Sequence, residues 1–213
     1  MKKKKFTFIV GPVAAGKTTL MESLYILDPN PSNLFDHHKI KLMIHLYGEK
    51  NGIINDLNLE RAFRNAIKDS VENNKDFLMQ IHFTNEQLSQ INTYLHKYKN
   101  KFDFYAHFIG VDDVSILKKR ANKRELLGGH SSVGKSIDKS FRQSFENFST
   151  YLHNFKKATI WDNTKEYGFN DMEEQLIFNY GKLIFQNNNL TPYSLELLNT
   201  INEQNNNQRR AVL

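Results

Sequence analysis

The feature that most constrains this chain is the run from Gly11 to Thr18, Gly11-Pro-Val-Ala-Ala-Gly16-Lys17-Thr18, which fits the pattern G-x-x-x-x-G-K-[ST]. A β-branched and aromatic stretch, Phe6 to Val10, precedes it as a short buried strand, and a helix is expected from Lys17 to Leu27. A loop squeezed between a strand end and a helix N-terminus turns its N–H groups inward. Glycine is needed where φ is positive or where a side chain would block an approaching oxyanion. Gly11 and Gly16 stand at those positions, and Pro12, Val13, Ala14 and Ala15 form the arc between them. The pattern assigns Lys17 to the β- and γ-phosphates of a nucleoside triphosphate and Thr18 to Mg²⁺ through its hydroxyl, and the expected ATP-binding run extends from Gly11 through Thr19. The bland alternative is a glycine-rich turn with no ligand, and the flanking strand and helix argue against it.

Beyond the loop, strands and helices alternate as a parallel sheet with crossovers requires. Short strands are expected at Asn33 to Phe35, Asp76 to His82, Phe102 to Ile109 and Ala158 to Asp162. Helices are expected from Asp36 to Tyr47, Leu59 to Val71, Glu86 to Tyr98, Val114 to Leu127 and Ser136 to Phe155. Tyr180-Gly181 joins two apolar runs as a β-hairpin, and Thr191-Pro192 opens a helix to about Ile201. The expected fold is α/β: a three-layer P-loop NTPase of the kinase-like kind, a parallel sheet flanked by helices, with a helical lid over about 118–150 and a C-terminal β-hairpin. One domain should fill residues 1–203, with 204–213 a disordered tail.

Composition removes whole chemistries. With no cysteine among 213 residues there is no disulfide framework, thiolate metal site or thiol nucleophile. The apolar runs are too short for a membrane span, and the lysines at 2–5 lead into a strand rather than a signal segment, so a cytoplasmic protein is expected. The formal charge of +6 suits polyanionic ligands such as ATP. Nucleic acid is the less favoured partner, because the basic residues are not interleaved with stacking aromatics.

A phosphate loop alone does not separate a kinase from a switch or a motor ATPase. Asp36 falls at the end of the second strand, where a carboxylate can take the proton of an attacking hydroxyl or simply cap the following helix; position alone leaves both open. His37 and His38 are adjacent, a poor bidentate pair, and read as ordinary surface residues. Arg120 and Arg124 share one helix face and suit polyphosphate oxygens. Gly128-Gly129-His130 follows as a hinge, then Lys135, Lys139 and Arg142, so that the segment reads as a basic lid. Gln80, His82 and Arg142, with Asp36, are the candidates for the acceptor side.

These residues carry a resemblance. Arg120-Ala-Asn-Lys-Arg124-Glu-Leu-Leu-Gly128-Gly129-His130, Ile137-Asp-Lys139-Ser140-Phe141-Arg-Gln-Ser144-Phe-Glu-Asn147 and Trp161-Asp162-Asn163-Thr164 resemble the zeta-toxin-like P-loop kinases, including the group described as predicted ABC-type ATPases. With the loop and Leu34-Phe35-Asp36, the likeness runs from about residue 5 to 190. It implies an ATP- and Mg²⁺-dependent kinase with Asp36 as base, Arg120 and Arg124 at the phosphates, and Asp162 and Asn163 beside the nucleotide base. The acceptor it implies is a hydroxyl of a small molecule such as a nucleotide sugar, and it raises an antitoxin protein as a partner. The chain departs from the family at Lys139-Ser140, where two arginines are usual, and at Gln80-Ile81, where Glu-Thr is usual. An ammonium does not reproduce a bidentate guanidinium. The contrasting reading is a nucleotide-dependent switch or ATPase acting through a macromolecular partner; no Asn-Lys-x-Asp string supports a GTPase.

Overall fold

The computed structural model of the chain describes residues 3–27, 33–35, 56–127, 136–165 and 172–210. Seven strands are described: β1 (Lys4–Val10), β2 (Asn33–Phe35), β3 (Phe77–Ile81), β4 (Phe102–Gly110), β5 (Lys157–Asp162), β6 (Glu173–Asn179) and β7 (Lys182–Gln186). The helices among the described residues are α1 (Lys17–Leu27), α2 (Asp56–Glu72), α3 (Asn85–Tyr98), α4 (Val114–Leu126), α5 (Ile137–Tyr151) and α6 (Pro192–Arg210). The strands form one sheet in the order β2-β3-β1-β4-β5-β6-β7. The first five run parallel, and the β6–β7 hairpin is added antiparallel at β5.

Period-two alternation sorts the strand residues between two helical layers. Phe6, Phe8 and Val10 of β1, Phe77 and Met79 of β3, and Phe102, Phe104 and Phe108 of β4 face one core, which α2, α3, α5 and α6 cover through Phe63, Tyr94, Phe148 and Leu197. Ile9, Leu78 and Ile109 point the other way, to a smaller core with Leu20 and Met21 of α1 and Leu117 of α4. The larger core is built of rings: Phe6 stacks on Phe8 at 4.5 Å and meets Phe77 edge-on at 4.9 Å. Among the described residues no helix is long and apolar enough to cross a membrane.

Element boundaries follow local chemistry. Tyr180 and Gly181 both have positive φ, 45° and 76°, as a two-residue type I′ turn requires. β1 begins at Lys4, so part of the lysine run is paired with Phe102 and Asp103 instead of leading in as solvated chain. The expected helix to Phe155 closes at Tyr151 and tightens into a 3₁₀ turn over Leu152–Asn154. α6 continues to Arg210, making 204–210 helical where disorder was expected, because no Gly or Pro follows Ile201 to stop it. The helix expected from Asp36 to Tyr47 lies outside the described residues.

Candidate functional site

β1 lies between β3 and β4, so the chain after Val10 emerges where the crossovers part to the two sides of the sheet, the place where open α/β sheets hold ligands. The loop turns sharply there. Gly11 has φ +148°, and a Cβ on it would lie 2.5 Å from the Ile109 carbonyl oxygen. Gly16 has φ +101°, and a Cβ there would lie 2.6 Å from Asn163 Nδ2. Glycine is required at both ends of the arc. Between them Ala14 holds φ +63°, a left-handed conformation costing about 1 kcal/mol or more in a residue with a Cβ. Ala15 N donates to Pro12 O at 3.3 Å, and Leu20 N to Gly16 O at 3.1 Å, carrying the loop into α1.

Lys17 is buried. Its ammonium donates to the carbonyls of Gly11 at 2.8 Å and Pro12 at 2.6 Å, and it meets His82 Nδ1 at 2.9 Å. With Lys17 as donor, Nδ1 is the acceptor and the imidazole carries its proton on Nε2. Beside it, Thr18 Oγ1 donates to Gln80 Oε1 at 3.2 Å. Gln80 and His82 are two apart at the C-terminal end of β3, so the pleat sends both side chains to the loop's side of the sheet. The His82 backbone is fixed in turn, donating through N to Gln87 Oε1 at 3.0 Å and accepting at O from the Ser144 hydroxyl.

These groups open onto a cleft of about 350 Å³ lined by residues 13–19, Gln80, His82, Arg120 and Arg124. α4 brings both arginines to it from one face, four residues apart. Arg120 Nη2 donates to Lys165 O at 2.7 Å, which anchors that guanidinium to the segment after β5. The cleft thus combines a glycine loop, one buried ammonium, two guanidinium groups, a hydroxyl and an imidazole, a set suited to a polyanion with a hard cation.

Other expected residues stand elsewhere. Asp162 and Asn163 do not line the cleft. Asn163 passes behind the loop: its amide donates to Ala15 O at 2.8 Å, and its backbone N donates to Gly110 O at 2.9 Å. Asp162 is buried and accepts from Thr164 Oγ1 at 2.6 Å; burial raises its carboxyl above the ordinary range. Arg142 is exposed and away from the cleft. Lys139 is bonded to Glu86 of α3, and this ammonium pulls the Glu86 carboxyl down to about 2. Asp36, His37, His38, the stretch Gly128 to His130 and Lys135 lie outside the described residues.

Two contacts were not legible from the sequence. Ser140 Oγ accepts from Val13 N at 3.2 Å in a buried setting, so this small side chain holds the loop. Asn163 does the same from the other side. The only hint in the sequence was small polar residues, Ser140 and Ser144, on the otherwise apolar face of α5.

No protein-family profile matches the chain, and no match is found among curated proteins. Solved structures do match. The chain superposes on a protein of the Pnkp1/Rnl/Hen1 RNA repair complex with a TM-score of 0.55 at 19% identity, covering 70% of this chain and 47% of that one. It therefore spans about half the length of that protein. It also superposes on a chain from the PezAT chromosomal toxin–antitoxin system of Streptococcus pneumoniae, with a TM-score of 0.51 at 12% identity, covering 97% of this chain and 88% of that one. At these identities the likeness is one of fold, the helix-flanked α/β sheet with its loop after β1 described above.

Proposed function

We propose that this chain is an ATP-dependent phosphotransferase that, with Mg²⁺, moves the γ-phosphoryl group to a hydroxyl of a small molecule, a nucleotide sugar being the first candidate. One observation carries the reading: a braced glycine loop, the Lys17 ammonium and the Arg120–Arg124 pair converge on a single cleft. The residues fit the ligands. Gly11 and Gly16 leave the loop's inner surface clear, and Lys17, Arg120 and Arg124 supply charge for phosphate oxygens. Thr18 is the ligand for Mg²⁺. A hydroxyl that ligates a cation through its lone pair must give its proton to an acceptor, and Gln80 Oε1 is in place to take it. That moves Gln80 from the acceptor side to the metal side of the site.

Bound MgATP supplies an electrophilic γ-phosphorus and a leaving ADP; every other role falls to the chain. Asp36, proposed on its sequence position, takes the proton as the acceptor oxygen bonds to phosphorus and the bond to the β–γ bridging oxygen breaks. Lys17, Arg120 and Arg124 stabilise the charge that gathers on the transferring group and on ADP. His82 faces the same space beside Lys17 and is positioned to contact an acceptor or the terminal phosphate.

The test is incubation of the purified chain with γ-labelled ATP, Mg²⁺ and a pool of nucleotide sugars, nucleosides and small alcohols. An RNA oligonucleotide belongs in a parallel arm, because one protein of the same fold belongs to an RNA repair complex. Label in a new small molecule supports the reading. Free phosphate alone, stimulated by a macromolecule, would favour a nucleotide-dependent switch, for which a protein partner is the first search given the toxin–antitoxin neighbour. Asp36→Asn is expected to abolish transfer and leave ATP affinity nearly intact; an active variant removes Asp36 from the mechanism.

A further inference from the structure

α5 carries two buried serines one helical turn apart, and they reach two different elements of the same cleft wall, the loop and the end of β3. Ser140 Oγ accepts from Val13 N of the loop at 3.2 Å. Ser144 Oγ donates to the His82 carbonyl at the end of β3. The rest of the helix is rooted in the core: Phe148 packs on Phe108 at 4.6 Å, and Asn147 Nδ2 donates to Phe83 O at 2.9 Å. A serine side chain has one heavy-atom torsion and little slack, so both contacts transmit the position of the helix directly.

Lys17 lies between these two holds. Its ammonium bonds Pro12 O, one residue from the amide that Ser140 fixes, and meets the ring of His82, whose backbone Ser144 fixes. We infer that Ser140 and Ser144 are positioning residues: together they set the distance between the glycine loop and the end of β3, and so where the Lys17 ammonium is delivered. The inference rests on the nucleotide reading above.

A control exists on the same helix. Ser149 is as buried as Ser140, but its hydroxyl donates within the helix, to Glu146 O at 2.8 Å, accepts from Gln204 Nε2 of α6 at 3.3 Å, and does not touch the cleft. The experiment uses the full chain with Ser140→Ala, Ser144→Ala and Ser149→Ala. Amide exchange at Val13, without nucleotide, is expected to quicken about tenfold in Ser140→Ala and stay unchanged in Ser149→Ala. Equal exchange in the two variants overturns the hold on the loop. Calorimetry with MgATP is expected to show affinity about fivefold to tenfold weaker for Ser140→Ala and Ser144→Ala, and within twofold of the unaltered chain for Ser149→Ala. An equal loss for Ser149→Ala means general loosening of α5 and overturns the positioning role. If the unaltered chain takes up no MgATP, the nucleotide reading fails and the delivery role of the serines fails with it, while exchange at Val13 still decides whether Ser140 holds the loop.

Discussion

The two walls of the cleft are built differently. The wall formed by the loop and β3 is buried and held by side chains from distant parts of the chain: Ser140 at Val13, Asn163 at Ala15, Gln80 at Thr18, His82 at Lys17. The wall formed by α4 rests on Leu117 and Ala121, with its lysines exposed and a solvent-facing ion pair, Lys118 to Asp138 at 2.8 Å, linking it to α5. The difference assigns them different work. On the proposed function, the braced wall would receive a nucleotide without ordering cost, and the arginine wall would face it from a helix tied to its surroundings at Arg120 through Lys165 O.

The contrast breaks first at Gly16. Gly16→Ala places a Cβ 2.6 Å from Asn163 Nδ2 on a backbone at φ +101°, and the strain is about 1–3 kcal/mol. MgATP affinity measured by calorimetry is expected to fall by up to roughly 100-fold. Affinity as tight as before would show that the braced wall is not rigid.

On the opposite wall, Arg124→Ala is expected to lower kcat by roughly tenfold to hundredfold and leave nucleotide affinity within about threefold. Arg124→Lys should not restore the rate, because a point charge lacks the guanidinium fork. A loss confined to affinity would make the arginine wall a binding surface like the other.

The support beneath the braced wall is sensitive to pH. Trp161 packs against the smaller core below the loop and donates through Nε1 to His107 Nδ1 at 3.0 Å. Burial, aided by Lys157 and Lys5, lowers the His107 pKa to about 4. Between pH 6.5 and 4 the unfolded chain therefore binds the extra proton at His107 and the folded chain does not, so the contribution of this group to stability is lost as pH drops through that window and is constant above it. Discounted for a half-buried ring, the loss is on the order of 1–2 kcal/mol. Denaturant titrations followed by Trp161, the only tryptophan, check it; a pH-independent midpoint would contradict the assignment. The smallest effect belongs to the arginine wall. Lys118→Ala is expected to change stability by no more than about 0.5 kcal/mol, and a larger shift would mean that α4 is held more firmly than its surface contacts suggest.

What could be read before the structure was whatever the backbone dictates locally. The glycine spacing, the strand before it and the helix after it are constraints within a few residues, and α1 begins at Lys17 and ends at Leu27 as expected. The pairing of Tyr180-Gly181 is local in the same way. What the sequence did not disclose depends on partners far along the chain. Ser140 reaches Val13, Asn163 reaches Ala15 and Gln80 reaches Thr18 only because the sheet order sets β5 and β3 near β1 and α5 packs across them. Gln80 is an acceptor-side candidate on the resemblance at Gln80-Ile81; its bond to Thr18 was not legible, because it depends on the register that sets Gln80 beside Ile9. Ala14, a non-glycine at positive φ, carries no signal at all in its letter.

The central place of β1 has a consequence for how the molecule comes into being. Phe6 pairs with Phe77 on one side and with Phe104 on the other, so the strand that carries the loop is clasped by neighbours synthesised long after it. Closing contacts so distant in sequence is slow. A growing chain released before β4 therefore holds its signature motif in full and has no shaped receptor for a nucleotide; competence arrives late, with the return of the middle of the polypeptide to its beginning.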